Sequence, residues 1–539
     1  MKTKIRKVTG PAAKSTVTSP KASGYSDAGA SIIKRALKAF TPNSGSPIED
    51  IDWNNSTLRQ RCRTLYMSAP VATSAIKTSR TKAIGVGLKL QAAPDRDVLG
   101  LSPEAAKDWM RNVEREFSLW ADKKDNCDAT GLNNFSGMQQ LAFMSWFLSG
   151  DCFAVIQRYD VTPFNPYSLR LHLIEADRCI TPPMNSNGIY GSTEGRIGES
   201  GNKIHDGVEV NATGRIVAYH FCNQYPQRYV VMDERQWQRV SAYGEKTGLP
   251  NVLHITASER ADQYRGVPFL AQVVEPLLQL RRYTESELMA ALVQSFFTAF
   301  IKTSADPSQL PFGSTGVGNT MGIPSGNPVP DEHSGSDVDY ELGPGTVNVL
   351  EEGEDVVFGN PNIPTAGFDA FVKAICKEIG SALEIPYDVL LKEFNASYSA
   401  SRAALLEMWE AVKMWRSWFV DDFCQPAYEI WLAEAVARGR IRAPGFFDDP
   451  LKRKAWCGAN WIGPVAGSLD PKKEAEAAVI LIDHGIKTHE QTTREMTSGN
   501  WEENVEQLAR ETELLAAAVP APASPLTGTG GNDDDDDEL

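Results

Sequence analysis

The sequence of 539 residues has no Cys-x-x-Cys pair, no GxxxxGK[ST] loop, no GxGxxG after a strand pattern and no HExxH. Their absence argues against a phosphate-cradling ATPase, a dinucleotide-binding fold and a zinc hydrolase. Histidine is scarce. His172, His205, His220, His254, His333, His484 and His489 are the only seven, and His484 and His489 stand five apart, a poor spacing for one helix face. No metal and no cofactor is therefore expected. Eight scattered cysteines suggest reduced thiols, mostly core, rather than a disulfide framework. The longest apolar run, Leu288 to Ile301, is interrupted by Gln294, Ser295 and Thr298 and is too short to span a bilayer. The basic start at Met1 lacks an apolar h-region, so no secretory signal is expected. Basic charge is also short: 54 Lys and Arg stand against 69 Asp and Glu, a net charge of −15. Such a chain is poorly suited to gripping DNA by general phosphate contacts.

What is present is an apolar content of 42%, enough for two to four lobes. Residues 1–25 are rich in Lys, Ser, Thr and Pro and read as a disordered basic arm. Residues 519–539 end in five aspartates and a glutamate and read as a disordered acidic tail. Between them, "SPEAAKDWMRNVEREFSLWADK" predicts a helix with Ser102 as N-cap and Trp109, Val113, Phe117 and Trp120 on one stripe. After Asp151 short alternating runs predict strands, with "NATG" at 211–214 as a hairpin turn. The fold class is α+β, mainly helical. A long helical pattern starts at Val267, is apolar over much of its circumference and holds Pro276 as a potential kink. Residues 304–345, rich in Gly, Pro, Ser and Asp, are too long for an ordinary loop and read as a protruding functional segment. "TVNVLEEGEDVVF" predicts two short strands around a turn. A helix from Phe368 is stopped by Pro386. A polar loop follows, then a helix from Ser401 to about Arg438, bent at Pro426.

Chemistry is hard to find. Ser74-Ala-Ile-Lys77 and Ser79-Arg-Thr-Lys82 fit SxxK, and Lys246-Thr-Gly248 fits KTG, an echo of a serine acyl enzyme. The third element of such a site, Ser325-Gly-Asn327, would follow KTG instead of preceding it, so chance matches are the better reading. The loop serines Ser397, Ser399 and Ser401 have no histidine within sixty residues and no strand-turn-helix frame. No catalytic residues are expected.

Several stretches, taken in order, carry a resemblance. "LRQRCRTLYMSAPVATSAIKTSRTKAIGVGLKLQ", "RLHLIEADR", "QYRGVP" leading into the long helix, "YSASRAALLEMW" and "AWCGANWIGPVAGSLDPKKEAEAAVILIDHG" resemble the lambda-type family of phage portal proteins. The resemblance runs from about Ser56 to Leu515. It implies a non-enzymatic ring, usually of twelve subunits, at one vertex of the virion capsid, assembled in the host cytoplasm. Double-stranded DNA would enter through its central channel under the terminase large subunit and later leave through it. Major capsid and scaffold proteins and a head-tail adaptor would be further partners, with no membrane involved. The implied parts are a wing (26–258), a first stem helix (259–303), a clip (304–362), a second stem helix (363–385), a tunnel loop (386–399), a long kinked helix with a wing return (400–469) and crown helices (470–518). In the tunnel loop, Lys392, Asn395, Ser397, Tyr398 and Ser399 would face DNA. Arg402, Trp409, Trp415 and Trp418 would anchor the loop through the helix behind it.

Overall fold

The computed structural model describes residues 35–37, 39–40, 42, 44–182, 196–197, 201–226, 235–296, 300–303, 354–357, 367–394, 397–467 and 470–518. The basic arm (1–25), the acidic tail (519–539) and all of the expected clip except 354–357 lie outside the described residues.

A π-helical turn, Ile48–Asp52, runs into α1 (Trp53–Ser68), and Pro70, whose missing N–H costs nothing in a first turn, opens α2 (Pro70–Ala83). Strand β1 (Lys89–Ala92) and α3 (Arg96–Leu99) lead to α4 (Pro103–Ala121). Ser102 caps α4 by accepting from the Ala105 N–H at 3.2 Å, and the i, i+4 stripe buries Val113, Phe117 and Trp120 while Trp109 stays half-buried. After α5 (Lys124–Cys127), α6 (Phe135–Ser149) starts at Asn134, whose side chain accepts from the Gly137 N–H, and stops at Gly150 with φ +86°. Gly150 and Gly266 touch: a Cβ on Gly266 would lie 1.8 Å from the Gly150 carbonyl oxygen, so both positions demand glycine.

Strand β2 (Asp151–Arg158) is the centre of a three-stranded antiparallel sheet, flanked by β3 (Leu169–Glu175) and, later in the chain, by β9 (Val252–Thr256). The intervening β4 (Arg196–Ile197), β5 (Lys203–His205), β6 (Val208–Val210), β7 (Ile216–Cys222) and β8 (Trp237–Ser241) form a five-stranded antiparallel meander. The "NATG" turn joins β6 to β7, with Asn211 accepting from the Thr213 and Arg215 N–H groups. Because side chains alternate along a strand, β2 serves two cores. Cys152 and Ala154 join the main helical core, while Phe153 and Val155 join a smaller one with Tyr219 and Phe221.

Helix α7 (Val274–Phe296) begins later than its apolar pattern suggests, after a 3-10 turn at Ala271–Val273. Pro276 therefore falls in the first turn, where it removes no intrahelical bond and makes no kink. The last residues of the expected first stem helix are β10 (Phe300–Thr303), paired antiparallel with β11 (Glu354–Val357). Phe-Ile-Lys-Thr is aromatic and β-branched, which suits a pleated strand. "EDVV" thus pairs with the end of the α7 segment, and the other strand expected in "TVNVLEEGEDVVF" lies outside the described residues.

Helix α8 (Phe368–Ala382) leads through Glu384, at φ +53°, to a further short helix, α9 (Tyr387–Leu391). Helix α10 (Tyr398–Phe419) continues through a π-helical turn, Val420–Cys424, into α11 (Gln425–Ala437). The π-helical turn lies just before Pro426, at the expected bend, and its widened ladder accommodates a residue that has no N–H. After α12 (Pro450–Trp456), β12 (Ala459–Ile462) returns to pair with β1, Leu90 opposite Trp461. The chain closes with α13 (Pro471–Asp483), α14 (His489–Thr497) and α15 (Trp501–Ala518). The main core gathers α1, α2, α4, α6, α8, α10 and α11 around rings such as Phe117, Phe135, Tyr428 and Trp431.

Candidate channel segment and assembly surfaces

Most of the described residues of 386–399 are helical rather than loop. Residues 387–391 are the helix α9, and Lys392 ends it in the left-handed region at φ +61°. Two bonds hold this turn down on α2. The Ser74 hydroxyl donates to the Leu390 carbonyl at 2.7 Å, and the Lys392 ammonium donates to the Thr78 hydroxyl at 2.7 Å. Ser74 and Thr78 are i, i+4 on one face of α2. Burial, with Lys82 nearby, lowers the Lys392 ammonium from its ordinary range. Glu393 meets Lys373 of α8 at 3.3 Å and accepts from the Tyr387 hydroxyl at 3.1 Å. Asn395 lies outside the described residues. Ser397 is the N-cap of α10, accepting from the Ala400 N–H, so Tyr398 and Ser399 are first-turn helical residues, and Ser397 and Ser399 are exposed.

The four anchoring residues separate. Trp415 alone is buried, edge-on to Phe147 and Phe269 with ring centroids 5.4 Å away in each case. Trp409 is half-buried, with the Arg416 guanidinium 5.6 Å from its ring centre. Trp418 is 41% exposed, which removes it from an anchoring role within this subunit. Arg402 pairs with Glu474 of α13 at 3.2 Å, tying α10 to the C-terminal helices. Arg416 donates to the carbonyls of Lys82, Ala83 and Pro464, and so joins α10 to the end of α2 and to the segment just after β12.

The SxxK serines are donors to backbone, not nucleophiles: Ser74 serves Leu390, and Ser79 donates to the Ala75 carbonyl at 2.9 Å inside the core. Lys77 is exposed on α2, the KTG stretch lies on the turn after β8, and Ser325 is outside the described residues.

A more elaborate polar cluster lies where "QYRGVP" meets β2, and residue patterns alone did not single it out as a site. Arg265 is completely buried and forks onto Asp151 at 2.7 and 3.1 Å. It also donates to the carbonyls of Ala176, Cys179 and Asp206 and to the Asp206 carboxylate. Arg59 of α1 lies 3.7 Å from Asp151 and 3.5 Å from Asp206 and donates to the Ser149 carbonyl. Asn55 donates to the Gly266 carbonyl at 2.9 Å. Burial alone would raise the Asp151 carboxyl, but Arg265 and Arg59 override it and hold it well below the usual carboxylate range. Asp52 is the counterexample. Burial, then the neighbouring Asp206, pushes it up to about 7, and its Oδ2 has no hydrogen-bond partner. Burial lowers His254, which stacks on Phe153 with 4.4 Å between ring centres, so it stays neutral beside Asp151. The cluster joins α1, the start of β2, the turn at 176–178 and the approach to α7. An arginine followed by glycine between a strand and a long helix was its one sequence signal.

The other notable surfaces are apolar and uncovered. Leu288 is 62% exposed on the second half of α7, with Met289 and Leu292 beside it and Phe371 on α8. No described side chain of α13, α14 or α15 is buried. Val479, Ile480, Leu508, Leu514 and Leu515 all face solvent. Helix α15 is held to α4 by exposed charge, Glu506 meeting Lys107 at 2.7 Å and Arg111 at 2.6 Å. Among the described residues no group of His, Cys, Asp and Glu is arranged to hold a metal ion, and no helix is long and apolar enough to cross a membrane.

Structural hydroxyls, a buried salt-bridge cluster and uncovered apolar helices define a structural subunit. The family model described as "Phage portal protein, lambda family" matches residues 34–416, and the chain belongs to that family. It is a phage portal protein in the structural, non-enzymatic sense, a component of the virion. The portal protein of Escherichia phage N15 is 24% identical over 508 residues, covering 90% of each chain. Portal protein B of Escherichia phage lambda is 23% identical over 510 residues, covering 90% of this chain and 89% of its own. Among solved structures, a chain from the neck of an empty GTA particle aligns with a TM-score of 0.40 at 14% identity, over 82% of this chain and 93% of that one.

Proposed function

We propose that this chain assembles into a ring, of twelve copies in the virion, whose central channel passes double-stranded DNA into the capsid during packaging and out of it at ejection. The observation that carries the reading is the row of uncovered apolar side chains on α7, α13 and α15. Leu288, Leu508, Leu514 and Leu515 are each more than half exposed in the isolated subunit. Large contiguous apolar surface is the mark of an interface, and a closed ring lets every subunit cover the same faces of its neighbours. The α/β lobe would be the wing, α7 and α8 the stem, β10 and β11 the base of the clip, and α13–α15 the crown. The clip would dock the terminase large subunit and later the head-tail adaptor. The wing would meet the major capsid and scaffold proteins during assembly in the host cytoplasm. The turn from Lys392 to Ser399 would face the channel. Lys392 gives one donor to Thr78 and stays exposed, and Ser399 offers a small hydroxyl, so the segment presents a single cation to passing phosphate. A net charge of −15 keeps counterion-release affinity for DNA low, as a conduit requires.

The test is electron microscopy of the purified chain beside the double variant Leu288→Asp, Leu292→Asp. Rings are expected for the parent and folded monomers for the variant. A parent that stays monomeric under assembly conditions sinks the ring. A Ser399→Trp chain should form rings yet yield phage with reduced packaged DNA; full packaging removes that segment from the channel wall.

A further inference from the structure

Helices α6, α8 and α10 enclose a continuous groove that none of the roles above uses. Its first part, about 370 Å³, has a floor of Trp146, Phe147, Phe269 and Trp415, with Met414 and Trp418 on the α10 wall. The Phe147 and Phe269 rings lie 4.5 Å apart with Trp415 edge-on to both, so this floor is a packed cluster of rings. Past Glu384 and Met414 the groove continues into a second part of about 580 Å³ lined by Ile385, Tyr387, Met408 and Ala411. The rim is acidic. Glu259, Glu384, Glu407 and Glu410 line the two parts; the lining cation is Lys377, which sits over the Tyr387 ring, and Lys413 beside the groove pairs with Glu410 at 2.9 Å. Met414 and Trp418 remain 38% and 41% exposed over it. An aromatic floor with a carboxylate rim suits a short cationic segment that carries a few apolar side chains.

The same chain contains such a segment. Residues 1–34 hold seven Lys and Arg against one acidic residue, Asp27, although the whole chain is strongly acidic. Lys2, Lys4, Arg6 and Lys7 alternate there with Ile5 and Val8. The described chain also enters at the right place. Arg260 donates to the Gly45 carbonyl at 3.0 Å and pairs with Asp50, and its sequence neighbour Glu259 lines the groove mouth. From Gly45 back to Val8 an extended chain can span roughly 120 Å, so reach sets no limit in the same subunit or the next.

We infer that this groove is the docking site of the chain's own N-terminal basic segment, with Ile5 and Val8 on the aromatic floor and the surrounding Lys and Arg on the carboxylate rim. The inference does not depend on the channel reading.

Photo-crosslinking in the full chain tests it. p-Benzoyl-phenylalanine replaces Ile5 or Val8, and mass spectrometry locates the adducts. Adducts are expected on Met408, Met414 or Trp418. Yield should fall at least fivefold in Glu407→Lys, Glu410→Lys, and equally in Lys4→Glu, Arg6→Glu, Lys7→Glu. The arm variant leaves every groove residue intact, so misfolding of the groove cannot mimic its effect. Adducts concentrated elsewhere on the subunit, no adducts at all, or groove adducts indifferent to both charge reversals would each overturn the assignment.

Discussion

The lobe built on α1, α4, α6 and β2 buries Arg265 and Asp151 completely, whereas the described side chains of α13, α14 and α15 are nowhere buried. Both regions carry ion pairs, but in opposite settings. In the lobe, Arg265, Arg59, Asp151 and Asp206 satisfy one another away from water, and removing any partner strands a charge. Where α15 meets α4, Glu506 pairs with Lys107 and Arg111 in partly exposed positions, where such pairs contribute little. The lobe is therefore complete as a single subunit. The C-terminal helices keep their apolar side chains open to solvent in the single subunit.

This contrast can be broken most forcefully at Arg265. An Arg265→Ala chain should lose about 3–5 kcal/mol, because Asp151 is left charged, buried and short of donors. Urea denaturation of the subunit checks it, and an unchanged midpoint would mean the cluster is not the fastening of the lobe. The next effect concerns pH. Asp52 is raised to about 7 from an unfolded value of 3.8. The native state thus holds a proton that the unfolded state releases, and stability declines as pH climbs from about 4 to 7, then levels. Asp52→Asn should remove that slope. It should match the parent near pH 4 and exceed it near pH 7.5 by about 1–3 kcal/mol. Melting curves at the two pH values decide the point, and a parent-like slope in the variant would assign the titration elsewhere. The smallest effect is at the exposed clasp. Glu506→Gln should leave the lobe's melting temperature unchanged, while hydrogen exchange at α15 speeds up. A fall in melting temperature would mean α15 belongs to the lobe after all.

Much of this was legible in residue patterns. Ser102 capping α4, the Val113–Phe117–Trp120 stripe and the "NATG" turn depend on neighbours a few residues apart, so local chemistry decides them. Element edges were harder to place. The α7 pattern starts at Val267 because Phe269 and Leu270 are core residues too, but they pack from a 3-10 approach rather than from the helix. The segment 386–399 was the least legible part. Its polarity suggested a soft loop. Its conformation is set by Ser74 and Thr78, some three hundred residues earlier, which hold Leu390 and Lys392. The three tryptophans of α10 look alike in sequence, yet Trp415 is buried while Trp418 is not, because only Trp415 meets the α6 and Phe269 rings.

By itself, the sequence determined the helix and strand types, the absence of nucleotide and metal-ligand motifs, the acidic balance with a basic start, and the ordered segments that carry the family. Those properties follow from composition, period and short spacing. Only the tertiary structure decided which polar residues are fastenings and which face solvent. Arg265 meets Asp151 across 114 residues and Arg416 reaches Ala83 across 333, and no pattern along one chain specifies a partner at that distance. The arginine is buried because the fold delivers carboxylates and carbonyls to it, and a buried charge is tolerated only where the fold does so.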